Sequence, residues 1–383
     1  MPRFSVVVPT RDRPDLLDFC LEGLAGQTFA DFEVVVSDNP TNMPARAVFD
    51  RWARPSWRYL SPEWPVPMHE NFERGCAEAS GDYVAVVIDK TVLHPSALEV
   101  ADCALRAEPA VDIVSWWNEG YDPVDELNDL RIGRFRPTAA VGEATVYKPA
   151  AELARRFANE TRRGTDPVHY VRGKIVFGAY SRLLLDRIRE LAGRVFHPLA
   201  PDYTAMVPAC VLSDGAVDVG RPLLVSYNSR RSNGRLQSTD PRHARRFIEA
   251  VDPAIVDALP IPGLYTSTHN VVAYDLVSSA ERCPPGSTPP LDLANLLRRA
   301  REDLDGVLWS DRTERSAQYA ILEAMEARLG IVSAAPAPRH PLVELRGARR
   351  LARWATRRRS APMYESPNEA ARAADRHYKK ASS

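Results

Sequence analysis

The N-terminal part of the chain alternates short, almost continuously apolar runs with segments of helical periodicity. The runs Phe4–Val8, Phe32–Ser37 and Tyr83–Ile88 are each followed by a stretch in which apolar residues recur every three or four positions. Strands that are apolar on both faces must be covered by helices on both sides, which is typical of a parallel sheet. The sequence therefore predicts an α/β domain. Shorter strands are predicted at Trp57–Leu60 and Val111–Trp116, and helices around Leu16–Leu24 and at Ala45–Ala53, Asn71–Ala79 and Ser96–Arg106.

Ligands of such a sheet bind beyond the carboxyl ends of its strands. The residues to inspect are therefore Pro9–Arg13, Asp38–Asn39 and Asp89–Thr91. No G-x-G-x-x-G follows the first strand, and no G-x-x-x-x-G-K-[ST] occurs in the chain. The absence of both phosphate-binding loops argues against a dinucleotide-dependent dehydrogenase and against a P-loop enzyme.

The composition is that of an ordinary globular protein. The 383 residues include 50 basic and 50 acidic side chains, and this balance argues against a nucleic-acid partner. The 5 cysteines are scattered without a C-x-x-C pattern, which favours reduced thiols over a disulfide framework or a zinc site. No signal-peptide pattern opens the sequence, and no run of about 18 apolar residues occurs. We therefore expect a cytoplasmic protein.

The rest of the chain divides by pattern. Candidate strands at Ile175–Tyr180 and Leu223–Tyr227 complete the first domain, and helical periodicity dominates from Pro241 to Gly330. This helical region is a plausible interface for a homo-oligomer. The predicted organisation is a sheet domain over residues 1–238, a helical appendage over 239–332, and a linker, a basic helix and a tail over 333–383.

The C-terminal unit begins with a probable linker, Ser333–Pro341, followed by a basic amphipathic helix candidate, Leu342–Arg359. Arginine-rich amphipathic helices can lie on an anionic membrane surface. That interpretation would suit a lipid-linked acceptor and peripheral contact with the inner face of the membrane. A solvated face or a partner-binding arm explains the same pattern equally well.

Two segments resemble the nucleotide-binding half of family-2-type glycosyltransferases with the GT-A fold. They are FSVVVPTRDRPDLLDFCLEGLAGQTFADFEVVVSDN and SGDYVAVVIDKTVLHPSAL. The resemblance is strong over residues 3–106 and weaker to about residue 235. It implies a Rossmann-like, mostly parallel sheet flanked by helices, here with a C-terminal helical appendage. It also implies inverting transfer of a sugar from a nucleotide-diphosphate sugar to a hydroxyl acceptor, which is a glycan, a lipid-linked molecule or a small molecule.

The metal-binding motif of that family is degenerate here. Members carry a D-x-D-type motif that holds Mg²⁺ or Mn²⁺ against the diphosphate. Aligning their G-[DE]-Y pattern with Gly81–Tyr83 places Ile88 at the first aspartate, Asp89 in the middle and Lys90 at the final position. A shift by one residue would make Asp89 a ligand, but no second carboxylate follows it. A lysine ammonium can itself neutralise part of a diphosphate, so we expect transfer without a cofactor, with Mg²⁺ or Mn²⁺ as the less favoured alternative.

A second departure agrees with the first. Many relatives carry a metal-binding histidine on the loop after a late strand, where this chain has Arg230 and Arg231 within Tyr227–Asn233. The alternative is a non-catalytic descendant of the fold that binds a nucleotide sugar or a partner protein. In that case Lys90 and the two arginines are solvated surface residues.

The resemblance also assigns residues to the nucleotide. An acidic side chain at the end of the second strand, Asp38, can accept a hydrogen bond from a pyrimidine or guanine N–H, although SDNPT is also a good turn sequence. Arg11 stands where many relatives have an aromatic residue, so stacking would come from its guanidinium plane. Asp89 is expected to contact ribose hydroxyls. The complete predicted set for base and ribose is Pro9, Thr10, Arg11, Asp38, Asn39 and Asp89.

Inverting displacement needs one carboxylate to accept the proton of the acceptor hydroxyl. Relatives carry it in an [ED]-D-[YWF] motif at the start of a helix, and FHPLAPDY places Asp202 at that position and Pro201 at the preceding acid. The alternative role of Asp202 is a helix N-cap. Glu119 and Asp122 are other candidates for the base.

Aromatic residues follow the strand that ends near Trp116. Trp116, Trp117 and Tyr121 lie where the family's donor and acceptor sugars meet, and sugar contact and simple packing explain them equally well. The unclustered histidines are predicted to be structural; they are His94, His169 and His197.

Overall fold

The computed structural model describes residues 1–138, 142–161, 166–307, 309–331 and 361–381. Within these residues, eleven strands form one mixed sheet whose main path runs β11-β7-β6-β9-β4-β1-β2-β3. The predicted α/β fold class, with a central sheet flanked by helices and followed by further helices, is confirmed. The strands are β1 (Phe4–Thr10), β2 (Phe32–Asp38), β3 (Trp57–Leu60), β4 (Tyr83–Val86), β5 (Thr91–Leu93), β6 (Ile113–Asp125), β7 (Asp129–Arg136), β8 (Thr145–Tyr147), β9 (Gly178–Ser181), β10 (Ala216–Tyr227) and β11 (Met363–Tyr364).

The helices predicted for the sheet domain form close to their expected positions and cover both faces of the sheet. Leu17, Leu21 and Leu24 of α1 pack with Phe4, Val6 and Val8 of β1 on one face. Val7 of β1 faces the opposite way and packs with α3, α7 and α8. The helices of the sheet domain, of which α5, α6 and α7 had no counterpart among the predicted ones, are α1 (Pro14–Ala25), α2 (Arg46–Trp52), α3 (Met68–Ala77), α4 (Ala97–Ala107), α5 (Pro149–Phe157), α6 (Pro167–Val171), α7 (Arg182–Ala192) and α8 (Pro201–Leu212).

Close packing against β1 explains why the G-D-Y segment begins with a glycine, Gly81. A Cβ atom on Gly81 would lie 2.6 Å from the backbone of Phe4 and of Ser5. Backbone atoms cannot move aside as the end of a flexible side chain can. Only glycine therefore lets the start of β4 approach β1 so closely.

Parallel pairing holds where the sequence predicted consecutive strand–helix units. β1 pairs in parallel with β2 and β4, and β2 pairs in parallel with β3. The second half is mixed, because β6 and β7 are joined only by residues 126–128, too few for a parallel crossover. The predicted strand Ile175–Tyr180 also differs: Ile175–Phe177 is a 3₁₀ turn, and only Gly178–Ser181 forms the strand β9.

β9 runs antiparallel to β4 and to β6. Its first residue, Gly178, therefore lies at the carboxyl end of β4, where β1 and β2 also end. We call this side of the sheet the carboxyl edge. Residues that precede β9 are brought to the same edge as those that follow β1, β2 and β4.

The region from Pro241 to Gly330 is helical, as the periodicity predicts. Its helix α12 packs against α8 of the sheet domain through Leu276, Met206 and Cys210. No helix among the described residues is long and apolar enough to cross a membrane. The helices of this part are α9 (Asn233–Thr239), α10 (Pro241–Glu249), α11 (Ile255–Ala258), α12 (Thr268–Ala280), α13 (Leu293–Gly306) and α14 (Arg312–Arg328).

Residues near the C-terminus return to the sheet domain. β11 pairs with β7, and helix α15 (Pro367–Ala381) packs its Ala370, Ala371 and Ala374 against a cluster that contains Phe19 and Val92. The predicted linker Ser333–Pro341 and the predicted basic helix Leu342–Arg359 both lie outside the described residues. The last unit of the predicted division thus contributes a strand and a helix to the first.

A buried polar network fixes α15. Tyr378 donates a hydrogen bond to Oε1 of Glu119, and His94 Nε2 lies 3.1 Å from the other oxygen of that carboxylate. The rings of His94 and Tyr378 stack with their centroids 6.0 Å apart. His94 is therefore structural, as predicted, and Glu119 helps to hold the helix through its hydrogen bond from Tyr378.

We expect Tyr378→Phe to lower the free energy of unfolding by about 1–3 kcal/mol, because a buried carboxylate loses a donor. Urea denaturation measures this change. The matched control is Tyr364→Phe, since the Tyr364 hydroxyl makes no hydrogen bond within the described residues. Equal stability of the two variants would contradict the role given to the network.

Candidate active site

The carboxyl edge gathers most of the polar residues that the sequence singled out. Asp38 ends β2, and Asp89 follows β4. Lys174 precedes the 3₁₀ turn that leads into β9. Because these strand ends meet at one edge, their polar side chains surround a common region.

Asp38 is fully buried, and only one of its two carboxylate oxygens makes hydrogen bonds to the part of the chain that the structure describes. Its Oδ2 accepts hydrogen bonds from the Ala45 backbone N–H at 2.7 Å and from the Tyr59 hydroxyl at 2.5 Å. Its Oδ1 has no hydrogen-bond partner within the described residues. Burial raises the pKa of Asp38, against these hydrogen bonds. The side chain thus shapes the turn and still presents one unused oxygen, as the two predicted roles require.

Asn39 is engaged differently. Its amide donates to the Val66 carbonyl at 2.7 Å and accepts from the Val66 N–H at 2.9 Å. Both ends of the amide therefore hold the loop that follows β3. Contact of Asn39 with a nucleotide stays a prediction. It would have to be made by the Asn39 backbone, or the side chain would have to leave Val66.

The loop after β1 has a fixed conformation. Asp12 has a positive φ of 52° and accepts hydrogen bonds from the backbone of Thr41, Asn42 and Met43. Burial opposes the charge of Asp12, but these hydrogen bonds outweigh it and lower its pKa. The loop carries Arg11 on the surface, while Pro9 and Thr10 are buried in β1.

Asp89 is buried completely and is ion-paired. Its Oδ2 accepts a hydrogen bond from Thr10 Oγ1 at 2.8 Å and lies 3.0 Å from Nε of Arg13, whereas Oδ1 has no hydrogen-bond partner within the described residues. Burial raises the pKa of Asp89, and the charges of Arg13 and Lys90 oppose that rise. The sequence analysis had assigned no role to Arg13.

Lys90 contacts the loop that follows β10, as the alignment with the family pattern suggests. The ammonium of Lys90 donates to Ser232 Oγ at 2.8 Å, and the Lys90 carbonyl accepts from Tyr227 N–H. Arg231, however, is paired with Asp15 at 2.7 Å and lies 3.9 Å from Glu126. The side chain of Arg230 is exposed.

A divalent metal of the family's kind does not fit these residues. Among the described residues, no group of three or more His, Cys, Asp and Glu side chains could hold a metal ion. Asp89 is the one carboxylate in the aligned motif, and one of its oxygens is already occupied by Thr10 and Arg13. Mg²⁺ and Mn²⁺ prefer several oxygen ligands, which this motif does not supply.

Asp202 lies at the start of α8, which begins with Pro201. The N-cap of α8 is Ala200, without a side-chain cap, so Asp202 is not the cap that the alternative required. Its side chain is 25% exposed, and its Oδ2 lies 3.4 Å from Nζ of Lys174. Among the described residues, no hydrogen bond or ion pair joins Asp202 to Asp89.

Lys174 is a residue that sequence reasoning missed. It is fully buried, with its ammonium 3.9 Å from the ring centroid of Tyr170 and 3.7 Å from that of Tyr203. Two aromatic faces and one carboxylate stabilise the cation, although burial lowers the pKa of Lys174. The only sequence signal was a lysine directly before the apolar run Ile175–Phe177.

The other candidates for a base are engaged in structure. Asp122 pairs with Arg136 at 2.9 Å and accepts from Asn228, and Glu119 holds α15. The aromatic residues Trp116, Trp117 and Tyr121 are buried as well. Trp117 donates a hydrogen bond to Asp218, and Tyr121 donates to backbone carbonyls. Their contacts favour the packing interpretation.

Comparison with known families matches residues 5–163 to the family described as "Glycosyl transferase family 2". The chain is 30% identical over 101 residues to the "GalNAc(5)-diNAcBac-PP-undecaprenol beta-1,3-glucosyltransferase" of Campylobacter jejuni. The matched segment covers 26% of this chain and 33% of the relative. It is 34% identical over 113 residues to the "O-antigen biosynthesis protein RfbC" of Myxococcus xanthus, covering 28% of this chain and 9% of the relative. The matches thus span at most a third of these relatives' own length.

Solved structures with a related outline have TM-scores below 0.5. TarS 1-349 of S. aureus, in complex with UDP-GlcNAc, gives 0.45 at 14% identity, covering 86% of this chain and 92% of that chain. The mannosyltransferase PcManGT from Pyrobaculum calidifontis, in complex with GDP-Man and Mn²⁺, gives 0.41 at 18% identity, covering 85% and 86%. The family match covers the segments on which the sequence resemblance rests, and it places residues 5–163 of this chain as similar to glycosyl transferase family 2.

Proposed function

We propose that this protein is an inverting glycosyltransferase that moves a sugar from a nucleotide-diphosphate sugar to a hydroxyl acceptor without a divalent metal. The observation that carries the proposal is the pair of Asp202 and Lys174 at the carboxyl edge. A partly exposed carboxylate beside a fully buried ammonium is suited to accept a proton from a bound hydroxyl. The match of residues 5–163 to the family supports a nucleotide-diphosphate sugar as the donor.

The reaction follows from these positions. Asp202 accepts the proton of the acceptor hydroxyl, and the oxygen forms a bond to the anomeric carbon from the face opposite the diphosphate. The bond between that carbon and the diphosphate oxygen breaks, and the nucleoside diphosphate leaves with the electron pair. Lys174 holds the carboxylate in place through the ion pair between its ammonium and Oδ2 of Asp202.

The growing negative charge of the leaving diphosphate needs a partner. We assign this role to Lys90, with the exposed Arg230 as a further cation. Arg231 supports them indirectly, because it neutralises Asp15 near Asp89. The acceptor is a glycan, a lipid-linked molecule or a small molecule. The Campylobacter relative, whose printed name contains an undecaprenol-linked glycan, supports the lipid-linked choice.

We expect Asp202→Asn to reduce kcat by about 10²–10⁴, because asparagine cannot accept the proton. Affinity for the nucleotide is expected to stay within about twofold. Transfer is measured from UDP-, dTDP-, GDP- and CMP-sugars to a panel of glycan and lipid-linked acceptors. It is assayed in EDTA and again with Mn²⁺, and the proposal requires equal rates.

The matched control for this variant is Asp311→Asn. Asp311 caps α14 by accepting from the Thr313 and Glu314 N–H groups, so it tests loss of a helix-terminal aspartate away from the site. Full transfer activity of Asp202→Asn would remove this residue from the mechanism. No transfer by the wild type with any donor would leave the non-catalytic interpretation.

Lys174→Met provides a test in which activity and stability respond differently. Methionine fits between two tyrosine rings, and replacing a buried charge by an apolar side chain is often neutral or stabilising. We expect kcat to fall at least about tenfold, since the carboxylate loses its cation. Steady-state kinetics and urea denaturation measure the two effects. An unchanged kcat would show that the pair is only structural.

We expect the loop that leads into α8, and so to Asp202, to be sensitive to acid because of His197. His197 is 9% exposed, and burial lowers its pKa to about 4, helped by the charges of Arg282 and Arg194. Between its ordinary value of 6.5 and about 4, the unfolded chain binds the proton more readily than the folded chain. Stability from the neutral ring is therefore present above pH 6.5 and is lost as the pH falls toward 4.

Between pH 7 and pH 4, we expect the free energy of unfolding to fall in both proteins. The fall should be smaller for His197→Gln than for the wild type, and the difference between the two should be up to about 3 kcal/mol. Urea denaturation across this range measures the difference. His377→Gln, a change at an exposed histidine, is the control and should follow the wild type. Parallel pH curves for His197→Gln and the wild type would contradict this assignment.

A further inference from the structure

We propose that Arg13 is the cation that joins Asp89 to the diphosphate of the donor, at the position where the family uses a divalent metal. The inference rests on the proposed function, because that function supplies the diphosphate. It starts from the misfit between the metal and the residues of the degenerate motif.

The geometry of Arg13 suits a bridging role. Its Nε lies 3.0 Å from Oδ2 of the fully buried Asp89, while the Arg13 side chain is 21% exposed. The contact with Asp89 is an ion pair, and within the described residues no nitrogen of the Arg13 guanidinium makes a hydrogen bond. One side of the guanidinium is thus anchored on the carboxylate, and the remaining N–H groups are available at the carboxyl edge.

Stability alone does not explain this pair. Burying a carboxylate and a guanidinium costs several kcal/mol of hydration per ion, and a neutral pair of similar volume often folds as well or better. A charged pair that is kept at the ligand edge of the sheet therefore points to a ligand. A guanidinium matches phosphate oxygens by paired N–H donors, which an ammonium cannot do.

The charges around Arg13 favour an anion of this kind. Arg13 and Lys90 together carry the two positive charges that one divalent ion would bring. Arg13 is also the N-cap of α1, where Pro14 follows and the positive end of the helix dipole faces the same region. The nearby acid on that turn, Asp15, is neutralised by Arg231 at 2.7 Å.

The decisive variant is the double substitution Arg13→Gln with Asp89→Asn. It leaves no unpaired buried charge, and it leaves the net charge unchanged, so long-range electrostatics predicts no effect. Asparagine keeps one acceptor oxygen for Thr10 and turns its amide N–H₂ toward the ribose, where it can donate to a hydroxyl oxygen. The matched control is Arg51→Gln with Asp18→Asn, which removes a 2.9 Å arginine–aspartate pair on the more exposed surface of α1 and α2.

Isothermal titration calorimetry in EDTA measures binding of UDP, dTDP and GDP and of the nucleosides uridine, thymidine and guanosine. We expect the wild type and the control to bind one nucleoside diphosphate equally. The Arg13/Asp89 double variant should lose at least about tenfold more affinity for the nucleoside diphosphate than for the nucleoside, because the ribose contact of residue 89 affects both ligands and Arg13 affects only the diphosphate. Addition of Mn²⁺ should leave the wild-type affinity unchanged.

Three results would overturn the inference. Unchanged diphosphate affinity of the double variant overturns it alone and leaves sugar transfer standing, whereas tightening of the wild type by Mn²⁺ overturns it together with the metal-free part of the proposed function. Failure of the wild type to bind any nucleoside diphosphate overturns it together with the proposed donor. If the double variant does not fold by circular dichroism, Arg13→Lys replaces it: the charge is kept and the paired donors are lost, and unchanged affinity again contradicts the bridge.

Discussion

The complete burial of β1 is the constraint on which the rest of this structure depends. Every residue of Phe4–Thr10 is buried, so both faces of the strand must be covered by helices and both of its edges by other strands. Polar groups cannot be placed within such a strand without loss of hydration. They collect where β1 and its neighbours end, and this is why the candidate site lies at the carboxyl edge.

Two buried charge pairs occupy that edge, and they have the same design. In each, one charged group is fully buried and its partner is partly exposed: Asp89 with Arg13, and Lys174 with Asp202. The buried member fixes the position of the exposed member, which is then free to meet a ligand. The polarity is reversed between the two pairs. One therefore presents a cation, suited to a diphosphate, and the other presents a carboxylate, suited to a hydroxyl proton.

The helical appendage and the C-terminal helix support this edge from outside the sheet. Asp275 of α12 is buried and accepts a hydrogen bond from the Ala200 N–H, directly before α8 and Asp202. Burial raises the pKa of Asp275 well above its usual value, and the nearby Asp202 adds to that rise. On the other side, α15 covers α1 and β10 through Ala370, Ala371 and Tyr378. The segments that match no family pattern thus hold the elements that carry the site.

The sequence by itself determined the elements of the first half and the chemistry of the loops between them. Continuous apolar runs with helical periodicity are local patterns, and they predicted β1 to β4 and α1 to α4 within a few residues. The family resemblance singled out Asp89 and Lys90 in the loop after β4 and Asp202 at the start of a helix. Tertiary structure alone decided the partners, because Arg13, Lys174 and α15 reach these residues only through the packing of distant segments. The apolar pattern of the sequence also did not determine the strand directions in the second half. β6 and β7 are antiparallel because a short turn joins them, and periodicity does not predict that turn.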